Sequence, residues 1–181
     1  MPKSKPTLIG FAGYPESGKD AAAGFLERRG WKVIECSDAL KRALLALNPI
    51  VCMQVANMHG VLAQQPMFFH EFFHEHCQRD WGKAKKNPEV RRLLQHLGTQ
   101  AGREIHGENC WIDPIMNKVD FFVNDNHCIT GVRFQNEIDA IKSRDGLMVW
   151  IDREASKPLA HQADNTAWVR EQCLVVDNNG T

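Results

Sequence analysis

Residues 10–30 read "GFAGYPESGKDAAAGFLERRG", and the fold turns on how this stretch is read. A short apolar run, "TLIGFAG" (7–13), leads into the glycines and suits a buried strand. The helix-forming run "KDAAAGFLERR" follows, with Gly30 placed to stop it. Strand, glycine-rich turn and helix form the context in which G-x-x-x-x-G-K cradles a phosphate. Glycines let the backbone wrap an anion, successive N–H groups point inward, and the helix N-terminus adds partial positive charge. Gly13, Glu16, Ser17, Gly18, Lys19, Asp20 and Ala21 are therefore the candidate cofactor-binding residues, with Lys19 reaching the terminal phosphates. Asp20 stands where such loops normally carry a Ser or Thr hydroxyl for magnesium. The competing reading is a strand–turn–helix joint with incidental glycines.

Outward from this stretch the pattern alternates. "WKVIEC" (31–36) reads as a second strand, and Ser37 is placed to cap a helix, "DALKRALLALN", that ends at Asn48–Pro49. Residues 50–126 carry no convincing strand. Within them "MFFHEFFHEHCQRDW", "NPEVRRLLQHLGTQAGREIHG" and "PIMNKVDFFV" read as helices, the second capped by Asn87 with Pro88 in its first turn. Strands return at "HCITGVRF" (127–134), "GLMVWID" (146–152) and "CLVVD" (173–177), with a helical "NEIDAIKSR" after the first. Alternation implies an α/β domain whose parallel sheet is covered on both faces. The whole chain, 1–181, is expected to be one domain, with a helical insertion at about 50–126 over the sheet's C-terminal edge, where ligands bind in such folds.

Composition narrows the partners. The chain has 181 residues, 43% hydrophobic and 24% charged, long enough to bury roughly two-thirds of its unfolded surface in one domain. Lys and Arg (22) balance Asp and Glu (22), so no global field calls for nucleic acid or a membrane surface. Six scattered cysteines without a C-x-x-C pair suggest reduced thiols in a cytoplasmic setting. No stretch approaches the roughly 18 apolar residues of a membrane span, and the N-terminus lacks the apolar run of a signal peptide.

Two further motifs carry chemistry. "HEFFH" (70–74) spells the H-E-x-x-H zinc pattern, with Glu71 as general base and His76, Cys77 or Glu89 as a third ligand. The phenylalanines around it favour a packing helix instead. The cationic segment "QRDWGKAKKNPEVRR" (78–92) is either part of a lid over phosphates or a solvated basic helix end.

Several stretches, "SGKD", "ECSDALKRAL", "LLQHLGTQAGREIHGENCWID", "GVRFQNEIDAI" and "DNNGT", occur together in order. On these the chain resembles the bacteriophage-type deoxynucleoside monophosphate kinases, a branch of the P-loop kinases, over nearly its whole length. "LGTQAGREIHGENCW" (97–111) is the most specific piece and "VRFQNE" (132–137) the second. The resemblance implies a three-layer P-loop NTPase fold with five parallel strands in the order 2-3-1-4-5. It also implies ATP-dependent, Mg2+-assisted phosphorylation of a deoxynucleoside monophosphate, in the host cytoplasm if phage-encoded. Asp20 then supports magnesium, while Lys19, Arg103 and Arg133 form the catalytic set. Asp38, Lys41, Arg42, Trp111 and Glu137 join the two arginines as substrate-binding candidates, Glu137 either orienting Arg133 or sensing the sugar. Gly131 stands where the family carries an acid, Ala21 replaces a common hydroxyl, and "HQAD" keeps His161 and Asp164 of a characteristic turn. Two alternatives stay open: a nucleotide-binding regulatory protein without kinase activity, and a kinase of another small phosphate ester such as phosphomevalonate, whose animal-type kinases also carry S-G-K-D. Small-molecule nucleotides are the expected partners, and a homodimer is left open.

Overall fold

In a computed structural model of the chain, residues 7–56, 62–156 and 167–180 are described; His161 and Asp164 lie outside them. The strands β1 (Leu8–Ala12), β2 (Lys32–Glu35), β5 (His127–Thr130), β6 (Leu147–Asp152) and β7 (Leu174–Asp177) form one parallel sheet in the order β2-β5-β1-β6-β7. Counting only the strands of this sheet, that order is 2-3-1-4-5. The intervening β3 (Ile50–Ala56) and β4 (Leu62–Phe68) pair with each other, antiparallel.

The middle strands are apolar in continuous runs because both faces are covered. Side chains alternate across the sheet. Phe11, Cys128, Val149 and Ile151 lie on one face and pack with Ala23 of helix α1 (Lys19–Glu27). Ala12, Ile129, Met148 and Trp150 lie on the other, against Ile115 and Met116 of α7 (Asp113–Phe121) and Ile138 and Ile141 of α8 (Gln135–Lys142). Trp150 is fully buried and takes the ring of Tyr14 edge-on at 5.2 Å. Helix, sheet and helix make the three layers of an α/β fold, and each strand's C-terminal end delivers its following loop to one edge. Gly30 adopts φ +85 just past α1, and its amide closes the turn onto the Glu27 carbonyl at 2.9 Å.

The chain divides into two compact units, residues 1–38 with 108–181, and Ala39–Gly107. The first holds the five-stranded sheet. The second contains most of α2 (Asp38–Leu47), the β3–β4 pair, the short α3 (Phe69–Glu71) running on as a π-helical turn (Phe72–His76), then α4 (Trp81–Ala84) and α5 (Pro88–His96). A longer π-helical stretch (Leu97–Arg103) and α6 (Glu104–His106) complete it. Leu44, Val51, Phe69, Phe72, Phe73, Val90 and Leu94 share its core, with Phe69 stacked on Phe73 at 5.7 Å and Trp81 4.7 Å from Phe73. Asn87 caps α5 as expected, its side-chain oxygen accepting the Glu89 amide at 2.8 Å ahead of Pro88.

The β3–β4 ladder corrects the strand-free reading of residues 50–126 and the helical start at Met67. Its second strand, "LAQQPMF", has a proline and two glutamines in place of a β-branched alternation, so its propensity points away from a strand. Pro66 is tolerated because a two-stranded ladder leaves each strand an open edge. The Ser37 hydroxyl donates to the Glu35 carboxylate. In the H-E-x-x-H stretch, Phe69, Phe72 and Phe73 are buried while His70, Glu71 and His74 are exposed, and the winding changes at Phe72. Among the described residues no group of three or more His, Cys, Asp or Glu side chains is placed to hold a metal. This is a packing helix.

Candidate functional site

The loop between β1 and α1 is built from conformations that few sequences accept. Gly13 has φ +150, Glu16 φ +63 and Gly18 φ +98. Gly18 is the N-cap of α1, and no side chain caps that end. The amides of a helix's first turn have no intrahelical acceptor. The Ser17 amide closes a turn on the Tyr14 carbonyl at 3.2 Å, and Lys19 Nζ donates to the same oxygen at 3.2 Å. The lysine thus folds back over the loop's own backbone.

Ser17 is fully buried, and its hydroxyl has no hydrogen-bond partner among the described residues. A buried, unmatched hydroxyl costs about 1–3 kcal/mol, so the loop holds a polar group that its own fold does not satisfy. Asp20 is exposed in the first turn of α1, and Ala21 beside it is exposed as well. These features fit an anion at the helix terminus. A magnesium ion there would find one carboxylate, Asp20, and complete its shell with water and phosphate oxygens, the usual arrangement for that ion.

Two residues outside the loop brace it, and sequence reasoning missed both. Asn178, just past β7, donates from Nδ2 to the Ser17 carbonyl at 2.8 Å. Arg153, just past β6, donates from Nη1 to the Glu16 carbonyl at 3.2 Å. The signal for the first lay in "DNNGT", an Asn–Asn–Gly turn directly after a strand that ends at the ligand edge.

At the ends of the neighbouring strands, Glu137 is buried and its carboxylate accepts the backbone amides of Arg133 at 2.7 Å and Phe134 at 3.1 Å. Of its two expected roles, this bears on the first, since it anchors the chain that carries the half-buried Arg133. The Asn136 amide binds the Glu108 carbonyl at 2.8 Å and the Asn109 side chain at 3.0 Å, tying α8 to the turn before the half-buried Trp111. The Glu35 amide donates to Asp38 at 3.2 Å, so Asp38 steadies the end of β2. Gly131 has φ +75, a conformation that disfavours any side chain, and a Cβ there would lie 3.9 Å from Glu35 Cγ.

In the second unit, the most distinctive stretch is the π-helical Leu97–Arg103. Such windings often mark functional sites. Gly98 and Gly102 are buried, and Arg103 Nη1 donates to the Gly98 carbonyl at 3.0 Å. Lys41 is buried with its ammonium 5.8 Å from the Trp81 ring centre, within cation–π range, while Arg42 is exposed. In the cationic segment, Arg92 pairs with Glu89 at 2.6 Å and holds that carboxyl below the usual carboxylate range, while Arg91 donates to the Lys85 carbonyl at 3.2 Å. Among the described residues no helix is long and apolar enough to cross a membrane.

A family model described as deoxynucleotide monophosphate kinase matches residues 31–181. The match begins after the glycine-rich loop and α1, so the loop's geometry and the family match are separate observations that agree. No curated protein matches the chain with significance.

Proposed function

We propose that this chain, which belongs to the deoxynucleotide monophosphate kinase family, transfers the terminal phosphoryl group of ATP to a deoxynucleoside monophosphate with the help of magnesium. The observation that carries the donor side is the loop at Gly13–Asp20, with its left-handed positions at Glu16 and Gly18 and an uncapped helix start. An acceptor that already bears a phosphate oxygen nucleophile needs no strong base. The protein's task is to align two anions and neutralise charge as it develops.

In this reading Lys19 leaves the Tyr14 carbonyl for the terminal phosphates, and the amides at the start of α1 hold the phosphate chain. Asp20 takes the magnesium ion, which supplies charge neutralisation when bound. Arg133, steadied by Glu137, and Arg103, steadied on the Gly98 carbonyl, are assigned to substrate charge. Asp38, Lys41, Arg42 and Trp111 remain substrate-recognition candidates. Incubation of the full chain with ATP, magnesium and each monophosphate, deoxy and ribo, tests the reading through formation of the matching diphosphate. Diphosphate from none of them would overturn it, and ATP binding without turnover would instead leave a nucleotide-binding regulatory module.

A further inference from the structure

The loop is tied to the far end of the chain. Asn178 sits one residue beyond β7, where the β6–β7 ladder ends at the pairing of Asp152 with Asp177. Its own amide donates to the Asp152 carbonyl at 2.8 Å, extending that ladder by one bond. Its side chain then crosses to the Ser17 carbonyl at 2.8 Å, a contact spanning 161 residues of sequence. Its backbone is thus fixed by the sheet and its side chain by the loop.

The Asn178 side chain lies close against Gly18. A Cβ on Gly18 would stand 2.4 Å from Asn178 Nδ2, well inside contact distance. Gly18 suits its φ of +98, and a side chain there would also have to push the Asn178 amide group aside. The bond also sets a direction. A planar trans peptide points its carbonyl and its N–H in opposite directions. Holding the Ser17 carbonyl toward Asn178 therefore turns the Gly18 N–H the other way, at the head of the amides that open α1. The Arg153 bond to the Glu16 carbonyl is longer and exposed, and water competes with it more easily.

We propose that Asn178 is a positioning residue for the phosphate loop, a donor at the chain's C-terminal end that fixes the Ser17–Gly18 peptide in the orientation that receives an anion. Its effect on nucleotide rests on the kinase reading, whereas its effect on the loop does not. The test compares the full chain with Asn178→Ala, which removes the donor, and Asn178→Asp, which sets an acceptor against the Ser17 carbonyl in the same shape. Amide hydrogen exchange of residues 10–21 without ligand is measured first, then the affinity for ADP with magnesium chloride by calorimetry.

Loss of one such bond gives about 3–10-fold faster exchange in the loop and about 3–10-fold weaker ADP binding in Asn178→Ala. Asn178→Asp is affected more strongly. Loop exchange equal to wild type in both variants would overturn the proposal. So would a lowered melting temperature with ADP affinity unchanged, since that is the mark of a merely structural contact. If the wild-type chain binds no ADP, the kinase reading falls, and the exchange measurement alone still decides whether Asn178 orients the loop.

Discussion

Gly13→Ala is the sharpest single perturbation of the loop. A Cβ at this position would lie 2.6 Å from Ser17 Oγ, 3.4 Å from Ser17 Cβ and 2.8 Å from the Ile151 carbonyl oxygen. The serine hydroxyl belongs to a fully buried side chain with little room to turn away. The carbonyl belongs to β6, which is held between β1 and β7, and cannot retreat without opening the sheet. The backbone at Gly13 adds its own penalty, because φ +150 is rarely taken by residues with a side chain. Strain of this kind costs about 1–3 kcal/mol, and forcing a methyl into a filled space costs about 1–3 more. The expected destabilisation is therefore roughly 2–6 kcal/mol, or a melting point about 4–24 °C lower for a chain of this size. Gly24→Ala is the matched control, since its nearest neighbour to a new methyl is Arg28 Nη1 at 3.7 Å in the middle of α1. Helix propensity alone should make that variant more stable by about 0.5–1 kcal/mol. Scanning calorimetry of the two variants beside wild type checks the signs. Shifts of the same sign, or a Gly13→Ala shift within 1–2 °C of zero (about 0.5 kcal/mol), would refute the packing argument for the loop.

Three other outcomes follow from the same geometry. Ser17→Ala removes a buried hydroxyl without a partner, so the unliganded chain should melt higher by the equivalent of about 1–2 kcal/mol; a lower melting point would mean the hydroxyl is satisfied. If the proposed phosphoryl transfer is right, Lys19→Ala should lower kcat/KM by about 100-fold or more while the fold stays intact, because that reading gives this half-exposed lysine the charge that develops in the transition state; steady-state kinetics with far-UV circular dichroism reads both halves. His127 is buried, and desolvation lowers its pKa below the ordinary value of 6.5 even though the Asp125 backbone and carboxylate favour the charged form. The unfolded chain then binds a proton that the folded chain refuses, so stability should fall as pH drops from about 6.5 toward the folded pKa. Chemical denaturation between pH 7.5 and 5 should show this fall in wild type and a flatter profile in His127→Gln.

The sheet was legible because its information is local. Apolar runs at "LIGFA", "HCIT" and "LMVWID" need no distant partner to be read as buried strands, and their alternation with helices leaves few topologies. The apolar, β-branched "IVCMQVA" carried a strand signal that the reading passed over, whereas its partner β4 was not legible for the converse reason. "LAQQPMF" becomes a strand only because "IVCMQVA" lies antiparallel to it, a pairing decided by tertiary contact against local propensity.

The candidate site divides along the same line. What a loop must be, glycine at left-handed positions and lysine at a helix start, is written in consecutive residues, and Gly13, Gly18 and Lys19 could be named from them. What holds the loop is written elsewhere. Asn178 reaches Ser17 because β7 adds to the sheet's edge beside β6 and ends level with the loop, so the contact follows from strand order and not from any spacing along the chain. Glu137 is intermediate: one helical turn from Arg133, it could be singled out, but only the fold shows that it grips the backbone amide of Arg133. Gly131 reverses the argument. The resemblance leads one to expect an acid there, yet its φ of +75 makes glycine the residue that this turn favours, while a Cβ would meet Glu35 Cγ only at 3.9 Å, an ordinary contact distance. A substitution such as Gly131→Asp would therefore test backbone strain before it tested metal binding, and a fall in melting temperature should precede any change in magnesium dependence.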